Sequence, residues 1–165
     1  MIRSLMPLTL IFLAGCGADM KEFAPDASFS VSFPGTPQAD TTVSTTGLTT
    51  KTFYVEERGG IFTLSVTDYP GGKQFDNEEV EGRLKSLRDV LLNHYGARMT
   101  GEQEIMLSGS PGRTLEADLT QREGKLRARF YLVKGRLYQL VAIGSAKWAK
   151  SDDVNKFLES LTVAP

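Results

Sequence analysis

The sequence predicts an α+β fold: an antiparallel β-sheet flanked by helices on both faces. Three observations predict it. Apolar-polar alternation comes in runs separated by short turn signals, chiefly Gly59-Gly60, Ser108-Gly109-Ser110-Pro111-Gly112 and Lys134-Gly135. Helical spacing with end signals occurs in two places, about Asn77 to Tyr95 and about Asp152 to Leu161. The later strands carry apolar residues on both faces, which calls for cover on both sides. With 165 residues, 41% of them hydrophobic and 24% charged, the chain has the size and composition of a single globular domain.

Taken in order, Ser28 to Phe33 is the first predicted strand, with Phe29, Val31 and Phe33 on one face. Pro34-Gly35-Thr36-Pro37 ends it, and the Thr-rich residues 38–47 suit a solvent-washed edge strand. Thr50 to Arg58 and Ile61 to Tyr69 read as a hairpin centred on Gly59-Gly60. That centring pairs Arg58 with Ile61, Val55 with Leu64 and Phe53 with Val66. It puts Phe53, Val55, Phe62, Leu64 and Val66 on one face.

The first helix is capped by Asp76 or Asn77 and ended by Gly96, with Val80, Leu84, Leu87 and Leu91 as its buried stripe. Gly82 inside it costs about 1 kcal/mol against alanine. Strands are predicted at Glu102 to Leu107, Arg113 to Thr120, Lys125 to Val133 and Arg136 to Gly144. A loop centred on 121–124 pairs Asp118 with Arg127 and Glu116 with Arg129. A turn at Lys134-Gly135 pairs Tyr131 with Tyr138. One face then collects Leu115, Ala117, Leu126, Ala128, Phe130, Leu132, Val141 and Ile143, and the other holds Tyr131, Tyr138, Leu140 and Ala142. The second helix, capped by Ser151, offers Val154, Phe157, Leu158 and Leu161 as partial cover for the latter face.

The charge balance excludes some functions. Lys plus Arg is 19 and Asp plus Glu is 20, a net charge of −1, which argues against nucleic acid as a partner bound through bulk charge. One histidine gives a His-based relay or metal site little to build on, and one cysteine allows no intrachain disulfide.

That cysteine, Cys16, follows Arg3, an apolar run from Leu5 to Leu13, and Leu13-Ala14-Gly15. A charged start, an apolar stretch of about 7–15 residues and small residues before a cut site describe an export signal. Leu13-Ala14-Gly15-Cys16 resembles the lipobox of bacterial lipoproteins, where the thiol is acylated and the signal is cut before the cysteine. The resemblance implies residues 1–15 as signal peptide, residues 16–26 as lipidated cysteine and tether, and residues 27–165 as the domain. It implies attachment to the cell envelope through N-terminal acyl chains. Gly17, where an aspartate tends to retain Gram-negative lipoproteins at the inner membrane, favours the periplasmic face of the outer membrane. The other reading is a plain secretory signal or an uncleaved anchor with an incidental cysteine.

Phe29-Ser30-Val31-Ser32-Phe33-Pro34-Gly35-Thr36-Pro37, Pro111-Gly112-Arg113, and the stretch from Arg129-Phe130-Tyr131 through Gly135-Arg136-Leu137-Tyr138 resemble the PsbP-like domains, named from an extrinsic photosystem II subunit. The resemblance implies an antiparallel sheet between helices. It carries no catalytic set and no cofactor, and its members are mostly binding or assembly modules.

Candidate side chains are few. His94, near the end of the first helix, is a candidate ligand or base, or a surface residue complementing the helix dipole. Ser110 lacks the glycine spacing and the following helix of a nucleophile elbow. Asp76 to Glu81 and Asp152-Asp153 fit helix starts and lack calcium-loop spacing. Arg127 and Arg129 form, with Lys125, a basic stripe continued by Tyr131. With Tyr138 and Trp148 they make a candidate interaction surface, unless opposite carboxylates pair the arginines and Trp148 packs over the sheet edge. The function expected is a non-catalytic, lipid-anchored binding or assembly module with an unidentified envelope protein or ligand as partner. The alternatives are a small-ligand or metal-binding carrier and an envelope hydrolase.

Overall fold

Hairpin turns and capped helices build this chain locally, and two clusters of apolar side chains join the pieces. A computed structural model describes residues 19–72 and 75–164. The strands are β1 (Lys21–Asp26), β2 (Phe29–Phe33), β3 (Gln38–Val43), β4 (Thr49–Glu57) and β5 (Gly60–Asp68). After α1 (Asn77–Tyr95) come β6 (Ala97–Leu107), β7 (Ser110–Leu119), β8 (Lys125–Val133) and β9 (Arg136–Gly144), then α2 (Asp152–Glu159) and β10 (Thr162–Val163). The fold is α+β and dominated by antiparallel sheet. Seven strands lie in the order β3-β4-β5-β9-β8-β7-β6, and β1-β2-β10 form a separate three-stranded sheet.

The local signals for α1 are all used. The Asp76 side chain accepts from the Glu79 N–H at 2.8 Å, and the Glu79 carboxylate accepts in turn from the Asp76 N–H. Gly96 takes the left-handed conformation at φ 55° and closes the helix. The β8–β9 turn works the same way. Lys134 and Gly135 both have positive φ, 48° and 76°, as a primed two-residue turn requires. The register that follows pairs Tyr131 with Tyr138 and Leu132 with Leu137, as expected.

Two other hairpins differ from the expected register, each by two residues. In β4–β5 the turn residues are Arg58 and Gly59, so Val55 pairs with Phe62 and Phe53 with Leu64. In β7–β8, Glu116 pairs with Arg127 and Asp118 with Lys125. A shift of two leaves every side chain on its face. The predicted faces therefore survive although the predicted partners do not.

The Gly59-Gly60 pair has a different purpose. Neither residue has positive φ. A Cβ on Gly59 would stand 2.4 Å from the Trp148 ring, and one on Gly60 would stand 2.5 Å from the Ile143 carbonyl and 2.6 Å from the same ring. The glycines let the indole lie flat on the hairpin. Its ring meets Phe62 edge-on at 4.7 Å, and its Nε1–H donates to the Glu57 carboxylate at 3.1 Å.

The strands nearest the middle of the sheet feed both clusters. One joins Tyr131, Val133, Tyr138, Leu140 and Ala142 to Phe62 and Leu64, to β2, and to Val154, Phe157 and Leu158 of α2. The other joins Phe130, Leu132, Val141 and Ile143 to Leu115, Leu126 and to Leu84 and Leu91 of α1.

The small sheet departs from the expected plan. Residues 21–26, expected within a tether, form β1, which pairs with β2 and buries part of Phe23 against Phe33 and Phe53. Its backbone finds partners in β2, which a free tether would not need. Leu161 lies beyond the end of α2, still buried, and leads into β10, which pairs with β2. The strand expected to start at Glu102 starts at Ala97, and residues 110–112 belong to β7 rather than to a turn.

The Trp148 contact predicts a thermodynamic coupling. Gly59→Ala should destabilise the protein by about 1–3 kcal/mol through overpacking against the indole. In a Trp148→Ala background, which removes the ring but leaves the residue's Cβ 2.8 Å from the new methyl, the same change should cost less by about 0.5 kcal/mol or more. Denaturant unfolding of the four proteins measures this, and equal costs in the two backgrounds would contradict the account.

Candidate functional site

The five residues expected to form an interaction surface are largely consumed by the fold. Tyr131 and Tyr138 are buried, with 4% and 3% of their surface exposed. Arg127 donates from Nη1 to the Ala149 carbonyl at 3.0 Å and to Asn155 Oδ1 at 2.7 Å, and its Nε lies 3.4 Å from Glu116. It thereby ties α2 and the turn before it to the sheet. Arg129 pairs with Glu159 at the end of α2 at 3.0 Å. Trp148 is held on the glycines. These residues therefore do not form one open patch. α2 and the small sheet cover the aromatic members, and carboxylates or carbonyls engage the arginines.

The tyrosine hydroxyls feel that burial. Desolvation pushes the pKa of both Tyr131 and Tyr138 above the ordinary tyrosine value, against the lowering effect of Arg129 on the first and of Arg136 on the second. Asp118 moves the other way, held below the usual carboxylate range mainly by its hydrogen bond from Lys125.

His94 is exposed in the last turn of α1 and stacks edge-on with Tyr95 at 4.6 Å. Among the described residues no three His, Cys, Asp or Glu side chains come together as a metal-holding group. Cys16, with Leu13, Ala14 and Gly15, lies outside the described residues. No helix among those described is long and apolar enough to cross a membrane.

What the structure does assemble is a groove beside α1. It has a volume of about 470 Å³, within the usual range for small-molecule sites. Its apolar walls are Leu84 and Leu87 of α1 and Leu132 and Leu137 across the β8–β9 ladder, with Val90 exposed at the lip. Tyr69, just after β5, and Arg83 complete it. The Arg83 guanidinium lies over two rings, 4.2 Å from the Phe75 centroid and 4.8 Å from that of Tyr69. Those rings meet edge-on at 5.2 Å. The Arg83 Nε is buried and has no hydrogen-bond partner among the described residues.

Its neighbours on the same side of the molecule differ. Arg88 is paired with Asp89 and Glu102, and Arg113 bridges Glu81 of α1 to Glu104 of β6. Gly82 also lines the groove, and a Cβ built on it would meet no atom within 4 Å. In the sequence Gly82 stands out for its helix cost and Arg83 does not stand out. The signal was there: a mid-helix glycine followed by arginine, on a stripe of leucines.

No family model and no curated relative matches the chain. The structure is similar to the solution structure of cyanobacterial PsbP (CyanoP) from Synechocystis sp. PCC 6803, with a TM-score of 0.62 and 13% identity, over 94% of this chain and 99% of that one. The fold is therefore PsbP-like. A crystal structure of PA94, a Pseudomonas aeruginosa protein of unknown function, aligns with a TM-score of 0.43 and 10% identity, over 79% of this chain and 85% of that one.

The buried tyrosines predict an alkaline limit to stability. Their folded pKa values lie above the unfolded one, so the folded state keeps protons that the unfolded state releases. The stabilisation is complete below about pH 10 and is lost as pH rises through the folded values. Urea midpoints measured across this range should fall less steeply for Tyr131→Phe and Tyr138→Phe than for the parent. Parallel profiles for all three proteins would contradict this.

Proposed function

We propose that the protein is a lipid-anchored, envelope-facing module that binds rather than transforms its partner, and that the groove beside α1 is its binding site. The observation that carries the binding reading is the groove itself: apolar walls around a stacked guanidinium with an unmet donor. Leu13-Ala14-Gly15-Cys16 supports the anchor. Acylation at Cys16 gives stable attachment when two or more chains insert, each buried methylene adding about 0.8 kcal/mol. The layered plan, with a helix on each face of the large sheet, is supported by the division of core residues between the α1 and α2 clusters. The close start of β1, five residues after Cys16, would hold the domain near the membrane surface.

A second reading, a small-ligand carrier, draws on the same groove, whose volume suits a small molecule better than a protein segment.

Two measurements test the proposal. Cys16→Ala, or globomycin treatment of cells, should move the mature protein from the membrane to the soluble fraction. Unchanged partitioning would remove the anchor. A photo-crosslinking residue at Val90, on the groove lip, should give a defined adduct in cells that the same residue at Val43, on the exposed edge strand β3, does not give. Identical adducts from both positions would remove the groove as the binding site.

A further inference from the structure

We infer that the groove takes an anionic single-chain amphiphile, its head on Arg83 and its tail along Leu84, Leu87, Leu132 and Leu137; this rests on the binding reading above and specifies its ligand.

The head group follows from Arg83. A guanidinium has five donors, all in its plane. Here the guanidinium carbon lies 4.2 and 4.8 Å from two rings that meet edge-on, and the Nε donor has no partner among the described residues. A half-buried guanidinium that lines an apolar groove is met best by an anionic oxygen, which can accept from its Nη donors. The nearby acid is already engaged: Glu79 closes the cap of α1 through the Asp76 backbone N–H. Arg88 and Arg113 show what a structural arginine on this side of the molecule does, since each has two carboxylates. Arg83 does not follow that pattern.

The tail follows from the walls. Four leucines line the space below the cation, two from the helix and two from facing positions on β8 and β9. Such walls contribute affinity in proportion to the apolar area they cover and add no further polar contact. A compact polar anion would leave the half-buried Leu87 and Leu137 and the exposed Val90 uncovered, and a nucleotide would find one cation and two rings already occupied by it.

Gly82 is the second, independent observation. It weakens the helix that carries it, its φ is ordinary and no neighbouring atom forbids a side chain. Any larger residue there would project from the groove lining. Glycine at this position keeps the space open.

Calorimetric titration of the full chain with monomeric dodecanoate and with dodecyltrimethylammonium, two probes with one tail and opposite heads, tests the inference. Dodecanoate should bind about tenfold or more tightly than the cation, the effect of one charge-assisted contact. Arg83→Met keeps an apolar stem over the rings and should bring that ratio to about one; Arg83→Lys should retain part of it. Gly82→Leu should weaken dodecanoate by about tenfold without lowering the melting temperature, so that lost binding is not lost folding. Equal affinity for the two probes, both reduced by Gly82→Leu, would overturn the anionic head and leave a groove that binds. Dodecanoate affinity unchanged in Gly82→Leu would overturn the location. If neither probe binds, the amphiphile proposal is wrong, while the Val90 crosslink judges the binding reading separately.

Discussion

The β8–β9 hairpin is the constraint on which the rest of the structure depends. Tyr131, Leu132 and Val133 are consecutive and buried, and so are Leu140, Val141, Ala142 and Ile143. Consecutive strand residues point to opposite faces, so this hairpin cannot satisfy itself by lying on one core. It needs apolar cover on both sides at once. Leu132, Val141 and Ile143 belong to a cluster that includes Leu84 and Leu91, and Tyr131, Val133, Leu140 and Ala142 to one that includes Phe29, Val31, Val154 and Phe157. The remaining strands extend the sheet outward from this pair toward edges that are polar or exposed. β3 is solvent-exposed along its whole length.

How much of this was legible in the sequence depended on whether the deciding interaction was local. The ends of α1 are set by Asp76, Glu79 and Gly96, all within reach of the helix they terminate, and the expected boundaries stand. The β8–β9 register is set by two turn residues and stands as well. Gly59-Gly60 looked like a turn signal of the same kind, but its glycines answer to Trp148, nearly ninety positions along the chain. That is a contact no local pattern reveals, and the turn itself falls one residue earlier, at Arg58 and Gly59. β1 was missed for a related reason. Of its six residues only Phe23 is even partly buried, so no alternation marks it. Its pairing with β2 makes it a strand.

The candidate site shows the same division. Arg127, Arg129, Tyr131, Tyr138 and Trp148 stood out because they are large, polar or aromatic and close in the predicted register. The fold uses those very properties to attach α2 and the turn before it to the sheet. The groove is built from residues that are ordinary taken singly: leucines on a helical stripe, an arginine, a glycine. It exists because Leu132 and Leu137 face α1 across a space that the helix, lacking a side chain at Gly82, does not fill. Leu84 and Leu132 are buried there, while Leu87 and Leu137 stay half-buried, and the Arg83 guanidinium lies beside them over the Tyr69 and Phe75 rings.

The central claim is that one hairpin binds two cores into a single cooperative unit. Native-state hydrogen exchange of the β8 and β9 amides tests it most directly, in the parent and in two variants, Leu84→Ala in the α1 cluster and Phe157→Ala in the α2 cluster. The account predicts that these amides exchange only by global unfolding and that each variant lowers their protection by its full loss of stability, about 2–5 kcal/mol. Protection of the hairpin that survives either substitution, while the substituted cluster opens alone, would contradict it.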